Sequence, residues 1–329
     1  MNYPDLTLLL ASIIAGAAPI VIATLGETIT EKSGIINLSL DGTILLSAMT
    51  GFVVTYETGS VLAGFLTAAA IGGIVALLVG MFSIYMGLSQ VAVGFVLTLM
   101  TRDLAYFLGN SYSRLQGPQV SPLPIPYLKD IPYVGEILFT HSLPVYGSLL
   151  LIPFVLWYFT KTTWGLRLKA VGENPSAIYA RGSSPQRLQL LYTLIGGMLA
   201  GIGGATFSLL TKPGWGRPQG AEGTGWIVLA LVIFGGWSPV RAAAGAYLFS
   251  FLQVIGIYFQ AWFPGIPSQL FQVAPFPLMI FTLVIVHITQ KESSLNWAED
   301  KRLIKALFQK VSGTQPTSLG KPYVPDGMK

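Results

Sequence analysis

The chain has 329 residues, of which 52% are hydrophobic and 10% charged, with a formal net charge of +5. That apolar content exceeds what one soluble core covers, so the composition is that of a polytopic membrane protein. Cysteine is absent and histidine occurs twice, at His141 and His287, which argues against a disulfide framework and a thiolate or His-rich metal centre.

A bilayer core about 30 Å thick needs roughly 20 predominantly apolar residues per helical span. Long continuous apolar runs favour helices over a β-barrel, whose strands would read as short alternating segments. The first run, Leu6–Leu25, follows "MNYPDL", which lacks the basic region of a cleavable signal peptide; the span is expected to stay in the mature protein. Gly26–Ser33 reads as a polar loop. The second run, Gly34–Tyr56, contains Asn37 and Asp41, four residues apart and hence on one face if the segment is helical. A lone carboxylate facing lipid costs several kcal/mol, so that face is expected to look inward.

In the third run, Val61–Ile84, the residues Gly64, Ala68, Gly72, Ala76 and Gly80 recur every four positions, a row that lets another helix approach closely. The fourth, Leu88–Leu108, carries Gln90, Arg102 and Asp103. Residues 109–142 then hold five prolines and several tyrosines, the composition of rigid extended segments. After a fifth run, Leu143–Phe159, comes a basic polar loop, 160–187, in which Asn174 with Pro175 reads as a helix start and Gly182 as its stop. The sixth run, Leu188–Leu210, has a second small-residue pattern in Gly197, Ala200, Gly201 and Gly204. A short seventh run, Gly223–Gly235, contains Trp226, and Ala242–Phe259 and Leu270–Ile288 complete nine. The boundaries are compatible with eight to ten spans. Asn296–Val311 places apolar residues at helical spacing between basic ones and predicts an amphipathic helix on the membrane surface, within a segment 291–311; residues 312–329 read as a disordered tail.

Basic residues are retained on the cytoplasmic side. Lys32, Lys161, Arg167, Lys169, Arg181, Arg187 and Arg241 fall on one side of the nine-span arrangement together with seven basic residues of the tail. Only Arg114, Lys129, Lys212 and Arg217 fall on the other. The expectation is an all-α bundle with an extracytoplasmic amino terminus and a cytoplasmic carboxyl terminus. The net positive charge is accounted for by these loops and implies no nucleic acid.

"GLRLKAVGENPSAIYARGSSPQRLQLLYTLIGGMLAGIGGA", with "LGETITEKSGIINLSLDGTILLSA" before it and "GTGWIVLALVIFGGWSPVRAAAGAYLFS" after it, resembles permease subunits of ATP-binding-cassette importers, in the family for simple sugars, nucleosides and branched-chain amino acids. Within it the chain is most similar to nucleoside and simple-sugar permeases. The resemblance implies a plasma-membrane subunit that pairs with a second permease, more often a different chain than a copy, contacts two cytoplasmic ATPase domains and receives solute from an extracytoplasmic binding protein. It implies that Gly172, Asn174, Pro175, Ala177, Ala180 and Gly182 form the coupling loop that docks the ATPase, with Arg167 and Glu173 beside them. Tyr179, Ser183 and Ser184 depart from the family pattern.

The chain has no phosphate-cradling loop of its own: the one Gly-Lys pair, Gly320–Lys321, is followed by Pro322. ATP would therefore bind to partner subunits, and no cofactor is expected here. Asn37, Asp41, Gln90, Arg102, Asp103 and Trp226 stand as candidates for a polar translocation path. A structural alternative has Asp41 capping a broken helix or pairing with Arg102. A competing functional reading, a secondary transporter with Asp41 or Asp103 as proton carrier, would predict inverted repeats with matching helix breaks, and the sequence shows none that convinces. Intramembrane catalysis has no nucleophile–base or metal-ligand pattern to support it.

Overall fold

The computed structural model describes residues 6–217 and 219–262, the segment 315–321, and Gly265, Pro277, Phe281 and Tyr323. Among them the regular structure is entirely helical: α1 (Leu6–Lys32), α2 (Leu40–Thr58), α3 (Val61–Gly80), α4 (Gln90–Leu108), α5 (Val134–Leu138), α6 (Leu143–Lys161), α7 (Thr163–Glu173), α8 (Pro175–Ala180), α9 (Pro185–Thr206), α10 (Thr224–Phe234) and α11 (Pro239–Trp262). Wider π turns extend α3 through Met81–Tyr85 and α9 through Phe207–Thr211. Six of the described helices are long and apolar enough to cross a membrane: those beginning at Leu6, Val61, Gln90, Leu143, Pro185 and Pro239. The expected ninth span and the amphipathic segment 291–311 lie outside the described residues, apart from Pro277 and Phe281.

α9 is the axis of the bundle, flanked by α1, α2 and α3. The two small-residue rows of the sequence meet each other. A methyl group on Gly72 would overlap the Gly197 carbonyl, and one on Gly201 would overlap that of Ala68. On the opposite flank Gly26 and Gly196 stand in the same relation. Between apolar helices in lipid, such backbone approach supplies the packing contacts that a hydrophobic driving force supplies in water. One buried core joins α1, α6, α9, α10 and α11; a second joins α2 and α3 to the far end of α9 around Phe52, Leu209 and Trp215.

Three expectations are corrected. Gly26–Ser33 is not a loop: α1 runs on to Lys32, and Glu27 and Glu31 are buried within the protein. Asn37 and Asp41 do not share a helix face, because α2 starts only at Leu40 and Asn37 lies in the non-helical stretch before it. The tail is not disordered throughout, since residues 315–321 form a turn seated on the bundle.

The stretch 33–39 is a break inside the bundle. A methyl group on Gly203 would meet the Pro19 carbonyl and one on Gly204 that of Ile44, so Ile44 is near the level of the middle of α1. At about 1.5 Å per residue, Leu40 starts within roughly 6 Å of that level, and the chain climbs there from the end of α1 without helical hydrogen bonds.

The ends of α1 mark the two ends of the molecule. At the first, Thr7 donates to Glu136 (3.1 Å) in the proline-rich segment. At the other, the Lys32 carbonyl abuts Gly172 of α7, and Trp237, between α10 and α11, donates its indole N–H to Glu31.

Candidate functional site: a broken segment, a half-length helix and a polar strip

Non-helical backbone in a membrane protein must find internal partners for its N–H and C=O groups, each of which costs several kcal/mol if left bare in hydrocarbon. The buried polar side chains of this protein meet that demand. Glu27 Oε1 accepts from the Asn37 amide (3.2 Å) and Gln90 Oε1 from the Ile36 amide (2.8 Å). Asn37 Oδ1 accepts from the Ser39 amide (3.1 Å) and hydroxyl (2.5 Å). Thr98 donates to the Leu38 carbonyl (2.7 Å) and Gln189 to that of Ser33 (3.1 Å). Asn37 and Gln90, expected on the translocation path, thus hold the break in shape.

Asp41 has a related task. α10 is 11 residues long, about 16 Å at helical rise, roughly half of a bilayer core. Its amino end points at Asp41, which is 5% exposed and whose Oδ1 accepts from the Gly225 amide at 3.1 Å; the Gly223 amide adds a second interaction. A carboxylate there satisfies otherwise orphaned N–H groups and faces the positive end of the helix dipole. The approach is so close that a methyl group on Gly225 would overlap the Asp41 backbone. The cap on a broken helix is therefore what the structure contains, although the helix capped is α10 and not α2.

The alternative partner, Arg102, pairs elsewhere. Its guanidinium lies 3.3 Å from Glu222, the two side chains being 39% and 27% exposed. Tyr106, one turn along α4, hydrogen-bonds Glu222 and accepts from the Gln219 amide (3.3 Å). The Arg217 guanidinium sits 4.8 Å from the centre of the Tyr106 ring, and Trp215 closes the cluster behind it. Trp226, on the first turn of α10, remains 39% exposed. Arg102, Glu222 and Tyr106 make up a half-exposed polar strip just before α10, and Trp226 follows Glu222 by four residues, exposed on the first turn of that helix. Asp103 is exposed, and Trp226 and Arg102 are the sequence candidates that this strip retains. Sequence reasoning missed Glu27 and Glu31, whose charge made a loop of a helix end, and Glu222, Tyr106 and Gln219.

At the end where α1 terminates, α7 and α8 form a sharp corner. Thr162 accepts from Gly165 N (2.9 Å) to start α7, and Asn174 accepts from Ala177 N (3.1 Å) to start α8 with Pro175 in its first turn. Gly182 follows with φ +78°, in the left-handed region that stops a helix. Gly172 allows α7 to touch the Lys32 carbonyl. Ile178 anchors α8 inward, while Glu173, Asn174, Ala177, Ala180, Arg181 and Gly182 are exposed. Arg167 lies 5.0 Å from the Trp164 ring centre. The candidate residues of the loop therefore form one outward-facing corner fixed to the end of α1.

With this geometry in view, comparison with known proteins is decisive. Residues 9–283 match the family model described as branched-chain amino acid transport system / permease component. The chain belongs to this permease family. It is 35% identical over 257 residues to a putative glucose ABC transporter permease protein, TsgC13, of Haloferax volcanii, covering 77% of this chain and 78% of that one. It is 30% identical over 322 residues to the nucleoside ABC transporter permease protein NupC of Lactococcus lactis, covering 90% and 98%. The guanosine ABC transporter permease protein NupQ of Bacillus subtilis is 28% identical, covering 84% and 91%. No solved structure matches. The protein is a multi-pass integral plasma-membrane permease of the ABC type.

Proposed function

We propose that this permease is one of two membrane subunits of an ATP-driven importer for a nucleoside or simple sugar, and that ATPase subunits dock on its α7–α8 corner. The observation that carries the reading is the corner itself: a rigid, outward-facing turn whose inner side rests on the end of α1. Displacement of the corner moves α1, and the broken segment 33–39 links α1 directly to Asp41 and the amino end of α10. Alternating access follows as the exposure of the Arg102–Glu222–Trp226 strip first to one side and then to the other. In this reading the corner is cytoplasmic, and the Thr7–Glu136 end meets an extracytoplasmic solute-binding protein.

The strip suits a neutral polar solute: its cation and carboxylate neutralise each other, the indole and phenol offer faces for stacking, and the pair offers both donors and acceptors. Relatives named for glucose, nucleoside and guanosine transport support that class. Two permeases of one organism match in each of Lactococcus lactis (NupC, NupB) and Bacillus subtilis (NupQ, NupP), which supports pairing with a second, different permease. The chain performs no catalysis in this scheme; ATP is bound and hydrolysed by the partners. Proton-coupled transport is disfavoured because the Asp41 carboxylate is committed to the amide of Gly225.

The test is co-purification with the ATPase and second permease after Gly182→Trp or Glu173→Arg. Loss of the ATPase with normal membrane insertion is expected; intact complexes with full transport from both variants would refute the docking surface.

A further inference from the structure

Residues 315–321 make more contacts of specific geometry than a surface tail needs. The Ser318 amide donates to the Gly172 carbonyl (2.9 Å), and its hydroxyl donates to the same carbonyl (2.6 Å) and to that of Val171 (3.3 Å). Thr317 donates from its hydroxyl (2.7 Å) and amide (3.3 Å) to Glu173 Oε2. Gly320, at φ +76°, donates to the Gly34 carbonyl (3.1 Å). Leu319 is buried against Ile36, Val232 and Trp237, and the Tyr323 ring lies 6.4 Å from that of Tyr179 on α8. The segment folds on itself through Lys321, whose amide donates to Ser318 O (3.0 Å) and whose ammonium donates to Thr317 O (3.1 Å).

These partners belong to three separate parts of the molecule: the α7–α8 corner, the start of the broken segment, and the α10–α11 turn. We infer that residues 315–321, with Tyr323, are a brace that positions the coupling corner, joining it to the broken segment and to α10 so that the three move as one body when the ATPase pushes. This rests on the docking proposed above and adds a route from the corner to α10 that bypasses α1. A plug over the docking surface is the competing arrangement, and the burial pattern disfavours it. The brace covers the inner side of the corner at Gly172 and touches its edge only at Glu173 and Tyr179, whereas Asn174, Ala177, Arg181 and Gly182 remain open on the outer side. Thr317, Ser318 and Leu319 are therefore positioning residues: they touch neither solute nor ATPase and act through the corner.

Their role separates from simple stability in the ratio of solute moved to ATP hydrolysed. In the complete reconstituted complex, Leu319→Asp removes the apolar anchor, and Gly320→Val introduces a side chain at a left-handed backbone position beside Ile36. Both are expected to keep the ATPase bound and hydrolysing while solute transported per ATP falls at least about fivefold, with Ser318→Ala intermediate. An unchanged ratio in both variants, with wild-type amounts of complex, overturns the brace. So does a rise in hydrolysis and transport together, the signature of a removed plug. The placement is checked independently, because the chain has no cysteine: Tyr179→Cys with Tyr323→Cys should be joined by a short bis-maleimide in membranes holding the whole complex. Absence of that cross-link refutes the placement whether or not the first two variants fold. Loss of ATPase binding in Gly182→Trp without any change of ratio in the brace variants would leave the docking reading standing and remove this one.

Discussion

Replacing Asp41 discriminates between a carboxylate that reads solute and one that holds a helix end. Asp41→Ala deletes the acceptor of the Gly225 amide and the interaction with Gly223, leaving two donors at a buried helix terminus. A buried unsatisfied donor costs about 1–3 kcal/mol, so the loss is roughly 2–6 kcal/mol. Asp41→Asn keeps an acceptor of the same size at the same place and gives up mainly the charge–dipole attraction, about 0.3–2 kcal/mol. The Ala variant should therefore be the less stable, by about 3 kcal/mol between the middles of the two ranges. Thermal unfolding of the purified protein in detergent, followed by tryptophan fluorescence, gives the ranking, and transport by the reconstituted complex should follow it, with Asn retaining most of the activity. Equal stability of the two variants would refute the capping role, as would an Asn variant that is as stable as wild type yet fails to transport.

Glu27→Gln, which preserves the acceptor for the Asn37 amide, should assemble and transport, whereas Glu27→Leu strands that amide and should cost about 1–3 kcal/mol; yield of folded protein by size-exclusion chromatography checks the difference. His141 is buried in the segment between α5 and α6, with Nε2 2.8 Å from the Ile137 carbonyl, and burial pushes its pKa below the ordinary 6.5. A base whose folded pKa is lowered stabilises the fold above its unfolded pKa, and that contribution is lost as pH falls through the folded value. Thermal stability should accordingly drop below about pH 6.5 in the wild type, with a smaller drop in His141→Gln; identical pH profiles would contradict the assignment.

Much of the fold was legible because its signals are local. Apolar runs located the described long helices, and the four-residue rows at Gly72 and Gly201 marked two helices for close approach, which the structure shows to be approach to each other. Asn174, Pro175 and Gly182 placed α8 from capping chemistry alone. The site was harder because its logic is tertiary. Glu27 and Glu31 look like loop residues until the break at 33–39 creates backbone groups for Glu27 to satisfy, and Trp237 arrives some two hundred residues later for Glu31. Asn37 and Asp41 share a helical spacing, yet the chain does not complete the helix that the spacing presumes. Arg102 had Asp41 as its expected carboxylate partner in sequence, and only the entry path of α10 brings Glu222 to it instead. The brace had no sequence signal, since "TSLGK" has the polar composition of a free tail and its anchor, Leu319, is a single apolar residue.

The central claim is that this chain moves solute only when driven through its corner by an ATPase. The direct measurement is uptake of labelled nucleoside or sugar into proteoliposomes containing the chain with its second permease, with and without the ATPase subunits. Binding protein and solute are supplied on the receptor-facing side, and ATP on the other. Accumulation should require the ATPase and ATP together and be indifferent to an imposed proton gradient. Accumulation driven by that gradient in the absence of the ATPase would contradict the account.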